Sequence, residues 1–214
     1  MSIGTPRLLT AGKSSILVET DSPTETLGLV EQLRRCPPSG MIDFLPAETT
    51  VMIFARPDAD MSALRSEIGR LSLTSTSILE HAQSDDVVIV PVHYDGEDLA
   101  ELAHITGLSV RDIIARHTDE LWRCSFIGFA PGFSYLSPTS ATPWTIPRRE
   151  QARPSVPPGS VALASRYCAV YPRSSPGGWQ LIGRTDMQMW DIDNDPPALV
   201  QPGRVVRFVD ADKS

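Results

Sequence analysis

Cysteine and histidine are scarce in this sequence of 214 residues. The three cysteines, Cys36, Cys124 and Cys168, lie far apart and lack the C-x-x-C spacing of zinc and redox sites. Their odd number and wide spacing favour buried, reduced thiols. No H-E-x-x-H pattern or pair of carboxylates joins the histidines into a metal site, so we expect none. The histidines are His81, His93, His104 and His117.

Long hydrophobic runs are also missing. The strongest apolar run, residues 87–92, is far too short to span a bilayer, and the N-terminus lacks the apolar stretch of a signal peptide. The net charge of −7 disfavours binding to nucleic acid or to an anionic membrane surface. We therefore expect a cytoplasmic protein. Its hydrophobic content of 41% is enough for a real core.

Three functional motifs are present only in part. The AGKS of residues 11–14 resembles the end of a phosphate-binding loop, but the glycine required at position 7 is Arg7. Residues 132–136 lack the final glycine of a G-x-S-x-G elbow, so we do not expect Ser134 to be a hydrolase nucleophile. Residues 109–120 mix acidic and basic side chains, which argues against a DNA-recognition helix.

The first 93 residues show the order β-α-β-β-α-β, which is typical of a ferredoxin-like domain. Ser22 is a predicted N-cap, with Pro23 at the first helical position, and this helix is expected to end near Arg35. Asp60 is the predicted cap of the second helix. The predicted strands are residues 14–19, 41–45, 50–55 and 87–92, with residues 73–86 as a connection.

Residues 94–214 are predicted to form a helical linker followed by a β-barrel or sandwich. Two short helices, residues 98–106 and 109–118, are separated by Gly107, and Ser109 begins a capping box. Short, evenly spaced apolar runs between glycine and proline turns then favour a closed all-β structure. These runs are residues 121–126, 161–164, 168–171, 180–182, 187–192 and 205–209.

Glycine and proline are concentrated in residues 125–183, where they alternate with aromatic side chains. Proline fixes the backbone and glycine permits close approach, so this composition predicts rigid loops, and the aromatics suit the apolar walls of a cavity. The alternative is a set of structural turns in a small barrel. We expect a substrate pocket lined by Gly128, Phe129, Pro131, Gly132, Phe133, Tyr135, Tyr171, Pro176, Gly177, Gly178 and Trp179.

Three arginines lie in or beside these loops, namely Arg148, Arg153 and Arg184. A guanidinium group can hold a carboxylate or phosphate through two parallel hydrogen bonds. The alternative for each is a solvated arginine at the barrel rim. Backbone N–H groups of the turn at residues 176–179 can also receive an oxyanion, or the turn can be purely structural.

Four motifs resemble a known family in both order and spacing: SFIGFAPGFSYL, R-x-x-VP-x-GSV, YP-x-x-SPGGW-x-LIGRT and a late PG-x-x-V-x-F. This family includes the KipI-type kinase inhibitors, the B subunit of bacterial 5-oxoprolinase (PxpB) and proteins labelled allophanate hydrolase subunit 1. The resemblance implies a cyclophilin-like barrel in residues 94–214. It also aligns His117 with a histidine characteristic of the family, which can exchange a proton at physiological pH.

The resemblance implies that the chain is the B subunit of an ATP-dependent 5-oxoprolinase, which opens the lactam of 5-oxoproline to give glutamate. His117 is then the expected proton-transfer group, and Arg148 and Arg153 are the expected clamps for a carboxylate or phosphate. Because no nucleotide motif is complete, we expect ATP to bind elsewhere in a hetero-oligomer with a KipA/PxpC-type subunit. The chain is not expected to be active alone.

Two alternatives remain open. One is a KipI-like inhibitor of a sensor histidine kinase, which acts through protein contact and does not need His117. The other is a carboxyltransferase-like subunit of urea or allophanate metabolism. That function requires a biotinylated partner, because neither Lys13 nor Lys213 has the Met-Lys context of a biotin acceptor.

Overall fold

The structure, a computed structural model, describes residues 6–71, 87–140 and 145–213. The chain divides into two compact units, Met1–Gln83 and Ser84–Ser214. His81 and the predicted connection at residues 73–86 lie outside the described residues. Within the described ranges, no helix is long and apolar enough to cross a membrane.

The first unit is an antiparallel four-stranded sheet with two helices. Its elements are β1 (Arg7–Thr10), β2 (Ser15–Glu19), α1 (Pro23–Arg35), β3 (Met41–Pro46), β4 (Thr50–Ala55) and α2 (Met61–Ile68). The strand order is β1-β2-β4-β3. Alternate residues of β2 and β4 are buried against the helices, which is the period of two expected for a sheet with one covered face. The core contains Ile16, Val18, Leu29, Leu33, Val51, Ile53, Leu64 and Ile68.

Both helices of this unit begin at the predicted caps. The Ser22 hydroxyl oxygen accepts a hydrogen bond from the Glu25 backbone N–H, at 3.3 Å. The Asp60 carboxylate accepts from the N–H groups of Ser62 and Ala63, at 2.9 and 3.1 Å. Such a cap contributes about 1 kcal/mol to stability, because it satisfies N–H groups that the helix leaves unpaired.

The prediction that residues 87–92 complete the N-terminal sheet is wrong. This strand, β5 (Val87–Val92), pairs in parallel with β13 (Val205–Asp210), and all six residues of each strand are in register. The place beside β2 is taken by β1, which the sequence pattern did not identify. The order found is thus β-β-α-β-β-α, and the division between the units falls before β5. A local pattern identifies a strand, but distant residues decide its partner.

The second unit is a mixed α/β structure built on a nearly closed, barrel-like sheet. Seven strands follow the order β12-β9-β10-β7-β6-β13-β5, and a two-stranded sheet is formed by β8 and β11. The further elements are α3 (Leu99–Thr106), α4 (Val110–Asp119), β6 (Leu121–Ile127), β7 (Ser134–Pro138), β8 (Arg153–Val156), β9 (Ser160–Ala164), β10 (Tyr167–Val170), β11 (Ser175–Gly177), β12 (Gln180–Arg184) and a 3-10 helix (Ala211–Lys213). Whether the barrel is cyclophilin-like stays a prediction.

The two edges of the seven-stranded sheet meet at His93 and Arg184. Their backbones exchange two hydrogen bonds of 2.9 Å, which link the end of β5 to the end of β12. The neighbouring Gly183 permits this approach, because a Cβ atom at that position would lie 2.4 Å from the His93 carbonyl oxygen. This junction closes most of the barrel and leaves the 93–98 segment against β12.

Residues 187–192 do not form the predicted strand. They make one isolated bridge, between Trp190 and Ala198, and run otherwise as an irregular segment. Met189 is buried in the barrel core, so the apolar pattern arises from anchoring this segment and not from a strand ladder. Strands β7, β8 and β11 were not predicted, because the glycines and prolines around them are also typical of loops.

The two short helices of the second unit are confirmed. Gly107 follows α3 with a positive φ of 69°, a backbone conformation that glycine adopts without strain. The Ser109 hydroxyl oxygen accepts from the Asp112 N–H at 3.1 Å, as the capping box predicts. The helices cover a core that includes Val90, Val92, Leu102, Ile113, Trp122, Leu163, Val206 and Phe208.

Candidate functional site

A small cavity of about 260 Å³ lies among the glycine- and proline-rich loops of the second unit. Phe133 lines it and makes edge-to-face contacts with Tyr171 and Trp179, at centroid distances of 5.1 and 5.6 Å. Tyr135 contacts both Phe133 and Trp179. We call this the aromatic cavity. It is lined by Phe129, Phe133, Tyr135, Arg148, Ala152, Tyr171, Pro176, Gly177, Gly178 and Trp179.

Most of the residues predicted to line a pocket therefore meet in one place. Gly128, Pro131 and Gly132 do not line the aromatic cavity but belong to the loop that carries Phe129. The Gly128 N–H donates to the Phe133 carbonyl at 3.1 Å, which closes this loop.

Phe129 stands at the mouth of the aromatic cavity in an unusual backbone conformation. Its φ is +68°, and 59% of its surface is exposed. A bulky residue pays a conformational cost in this region, and such strain is concentrated at functional sites. Its ring is held edge-to-face against Phe133 at 5.2 Å, so the loop presents an aromatic side chain to solvent at the entrance.

Gly177 brings the backbone of β11 into contact with the tyrosine at the cavity wall. A Cβ atom at this position would lie 2.2 Å from the Tyr171 hydroxyl oxygen, so no other residue fits without displacing the ring. The predicted turn at residues 176–179 is in part a strand, since Ser175 and Gly177 pair with Val156 and Arg153.

Arg148 is the cation of the aromatic cavity. It is exposed, and no hydrogen-bond or ion-pair partner of its guanidinium lies in the part of the chain that the structure describes. Desolvation raises the pKa values of the Tyr135 and Tyr171 phenols, and the positive charge of Arg148 opposes this rise in both. The cavity thus combines neutral phenols with one guanidinium that is free to bind an anion.

Asp98 binds two further arginines near Arg148, namely Arg149 and Arg153. Its carboxylate is 3% exposed and accepts hydrogen bonds from Arg149 Nη1, from Arg153 Nη2 at 2.8 Å and from the Leu181 N–H at 2.7 Å. Asp98 occupies the N-cap position of α3, yet its side chain makes no capping hydrogen bond. The carboxylate therefore stabilises Arg149, Arg153 and β12 instead of its own helix.

Arg153 does not line the aromatic cavity, although it was predicted to act beside Arg148. Besides Asp98, its Nη2 contacts Glu97 Oε2 at 3.2 Å, and these hydrogen bonds raise its pKa further, with Asp98 the main cause. Arg184 is paired with Asp95 at 2.8 Å and does not line the aromatic cavity. The structure thus separates Arg148, which is free, from arginines that are engaged in ion pairs.

The loop that carries Arg148 is fixed on both sides. The Pro147 carbonyl accepts from Gln180 Nε2 at 3.3 Å, and the Arg149 N–H donates to the Gly178 carbonyl at 2.9 Å. Asp98, Arg149 and Gln180 were missed as site residues. Asp98 precedes a helix and was interpreted as the start of that helix, so its sequence context does not reveal that it binds arginines.

A second, larger cavity of about 640 Å³ shares Arg148 with the first. We call it the charged cavity. Glu101 and Ile105 line it from one face of α3, since they are spaced by four residues, and Glu97 lines it from the turn before that helix. The loop at residues 147–151 forms the opposite side, and Asp98 and Gln180 complete the lining.

His117 lies in the barrel core, away from both cavities. It has no exposed surface and packs between Trp122 and Phe208. Desolvation raises the pKa of Tyr94, whose hydroxyl shares a hydrogen bond of 2.7 Å with His117 Nδ1. His117 Nε2 and Cys168 Sγ share a second hydrogen bond, of 3.2 Å. This burial gives no support to a proton-transfer role, which stays a prediction that would require the core to open.

The buried imidazole makes stability depend on pH. Burial lowers the pKa of His117 to about 3, so between this value and its ordinary 6.5 the unfolded state binds a proton that the folded state does not. The free energy of unfolding is therefore not reduced by His117 above pH 6.5, and it falls by about 1.4 kcal/mol for each pH unit below that value. In urea unfolding from about pH 7 to pH 5, His117→Gln should remove this slope. The exposed His104→Gln is the control; equal slopes in wild type and His117→Gln would contradict the prediction.

The incomplete nucleophile elbow and the incomplete phosphate loop do not have catalytic geometry in the structure. Ser134 is buried, and its hydroxyl donates to the Val200 carbonyl at 2.9 Å. Residues 11–14 form the connection between β1 and β2, so no helix follows them as a phosphate loop requires. Cys124 and Cys168 are buried and form no disulfide, whereas Cys36, expected to be buried, is exposed at the end of α1. Among the described residues, no histidine, cysteine and carboxylate cluster could hold a metal ion.

Comparison with known proteins gives close matches in sequence and in structure. The family described as carboxyltransferase domain, subdomain C and D matches residues 6–200. The chain is 43% identical over 126 residues to the B subunit of the 5-oxoprolinase of Bacillus subtilis, covering 58% of this chain and 52% of that protein. It is 42% identical over 123 residues to the B subunit of the 5-oxoprolinase of Escherichia coli O157:H7, covering 56% of each.

The chain therefore spans about half the length of the curated relatives it matches. Among solved structures, the crystal structure of TTHA0988 is similar at a TM-score of 0.78 and 32% identity. That similarity covers 93% of this chain and 40% of the other, so the fold extends over nearly all of the present sequence.

Proposed function

Because this chain belongs to the family of the carboxyltransferase domain, subdomain C and D, we propose that it is the B subunit of an ATP-dependent 5-oxoprolinase. Such an enzyme opens the lactam of 5-oxoproline to give glutamate. The curated relatives, which are named as B subunits of 5-oxoprolinase, support this assignment over the part of the chain that they match. The observation that carries it is the aromatic cavity, in which Arg148 has no partner among the described residues.

The chemistry of 5-oxoproline suits this cavity. The molecule has a small, flat ring, a neutral amide and one carboxylate. Aromatic walls bind the ring, and a guanidinium binds the carboxylate through two parallel hydrogen bonds. The phenols of Tyr135 and Tyr171, kept neutral by desolvation, are donors that can stabilise negative charge on the lactam oxygen.

The proposed roles follow from these positions. Arg148 clamps the carboxylate, and Phe129, Phe133, Tyr135 and Trp179 bind the ring. Arg153 acts through Asp98 to hold the loop that carries Arg148, and not as a second clamp. We assign ATP binding to a KipA/PxpC-type partner in a hetero-oligomer, so the chain is inactive alone.

Reconstitution tests this function. Glutamate release from 5-oxoproline and ATP is measured with the purified partner subunits, with and without this chain. Release that depends on the chain is the expected result. A well-formed complex that releases no glutamate, or partner subunits that are fully active alone, would contradict the proposal. A biotin-dependent carboxyl transfer in the same complex would favour the carboxyltransferase alternative that the family description suggests.

A further inference from the structure

The charged cavity differs from the aromatic cavity in its chemistry, although Arg148 lines both. One side is acidic, with Glu101 on α3 and Glu97 in the turn just before that helix. The other side is the loop of Arg148, Arg149 and Glu150. A ligand between these sides meets a guanidinium and carboxylates at once, so a molecule with both an anionic and a cationic group satisfies both.

We propose that the charged cavity binds a free α-amino acid in its zwitterionic form, with the carboxylate on Arg148 and the ammonium group on the acidic side. This identification rests on the proposed function: the amino acid is glutamate, the product of ring opening. The cavity volume of about 640 Å³ lies in the range usual for small-molecule sites, so it can hold a ligand of this size together with water.

The acceptors needed for an ammonium group are present and unengaged. Gln180 is 3% exposed and lines the cavity, and its Oε1 has no hydrogen-bond partner within the described residues. An unpaired buried acceptor is costly, and a ligand N–H would relieve that cost. On the acidic side, Glu101 makes no ion pair with any described residue, whereas Glu97 and Asp98 are bound to arginines.

The proposed reaction explains why two adjacent cavities share one guanidinium. Hydrolysis breaks the lactam C–N bond, the oxygen of water joins the carbonyl carbon, and the nitrogen takes up protons to become an ammonium group. The substrate therefore has a neutral amide and one carboxylate, and the product has an ammonium group and two carboxylates. The aromatic cavity offers no counter-charge for the new ammonium group, but the charged cavity does. Arg148 can hold the same carboxylate before and after ring opening.

The test compares the binding of L-glutamate and glutarate, which lacks the ammonium group, to the full chain by isothermal titration calorimetry. We expect L-glutamate to bind about tenfold tighter than glutarate, because only the former pairs with the acidic side. Glu101→Gln should lower the affinity for L-glutamate about fivefold and leave 5-oxoproline binding unchanged. The control is Asp119→Asn, which removes an exposed negative charge at the end of α4, outside the cavity.

Equal binding of L-glutamate and glutarate would overturn the proposal, as would an equal effect of Glu101→Gln and Asp119→Asn. This failure is distinct from a failure of the proposed function. If the complex turns over 5-oxoproline but the titrations show no preference for the amino acid, the charged cavity is not the product site. If the preference and the Glu101→Gln effect are found without turnover, the amino-acid site stands and the oxoprolinase assignment fails.

Discussion

Replacing Asp98 by alanine is expected to lower the free energy of unfolding by about 3–5 kcal/mol, because it leaves a largely buried arginine without its counter-charge. Arg153 is 15% exposed and has its strongest contact with Asp98, and Arg149 and the Leu181 N–H lose the same acceptor. The cap of α3 is not the cause, since the Asp98 side chain does not cap that helix. Urea unfolding at neutral pH measures the loss.

Two variants separate charge from shape. Asp98→Asn keeps an oxygen that can accept from the Leu181 N–H but removes the charge, so it should lose less stability than Asp98→Ala. Glu97→Gln removes a carboxylate that is 77% exposed and contacts the same arginine, and it should change the free energy of unfolding by less than about 1 kcal/mol. An Asp98→Ala variant as stable as the Glu97→Gln protein would show that Asp98 does not hold Arg149 and Arg153 in place.

Replacing Arg148 by glutamine is expected to raise the KM for 5-oxoproline by about 10- to 100-fold in the reconstituted complex, the usual effect of losing hydrogen bonds to a charged group. Stability should hardly change, because Arg148 is exposed and has no partner among the described residues. Arg148→Lys keeps the charge but not the two parallel donors, so its KM should lie between that of the wild type and that of Arg148→Gln.

Arg184→Gln is the matched control for Arg148→Gln. Arg184 is also an exposed arginine of the second unit, but it is paired with Asp95 and lines neither cavity. Its replacement should leave the KM within about twofold of the wild type, since surface ion pairs contribute little. Equal KM values for Arg148→Gln and the wild type would contradict the proposal that Arg148 binds the substrate carboxylate.

The parts of the fold that depend on neighbouring residues could be predicted from the sequence. The caps at Ser22, Asp60 and Ser109 are determined by hydrogen bonds within one helical turn, and all three are confirmed. The place of β5 could not be predicted, because six backbone partners in β13 lie more than one hundred residues along the chain. A barrel-like closure was expected from the spacing of short strands, but its pairing order was not.

The same division holds for the candidate site. Glycines, prolines and aromatics close in sequence indicated the loops, and Phe133, Tyr171 and Trp179 do meet around one cavity. The charged groups were less predictable, because an arginine looks the same in sequence whether it is free or paired. Arg148 and Arg149 are neighbours, yet of these two only Arg149 contacts Asp98, which lies 51 positions earlier in the chain.

The most direct test of the central claim is a crystal structure of the chain, assembled with its partner, bound to 5-oxoproline. We predict the ring in the aromatic cavity, against Tyr135 and Trp179, and the carboxylate within hydrogen-bond distance of the Arg148 guanidinium. 5-Oxoproline bound at another place on this chain, or on the partner alone, would contradict the assignment of the aromatic cavity as the substrate site.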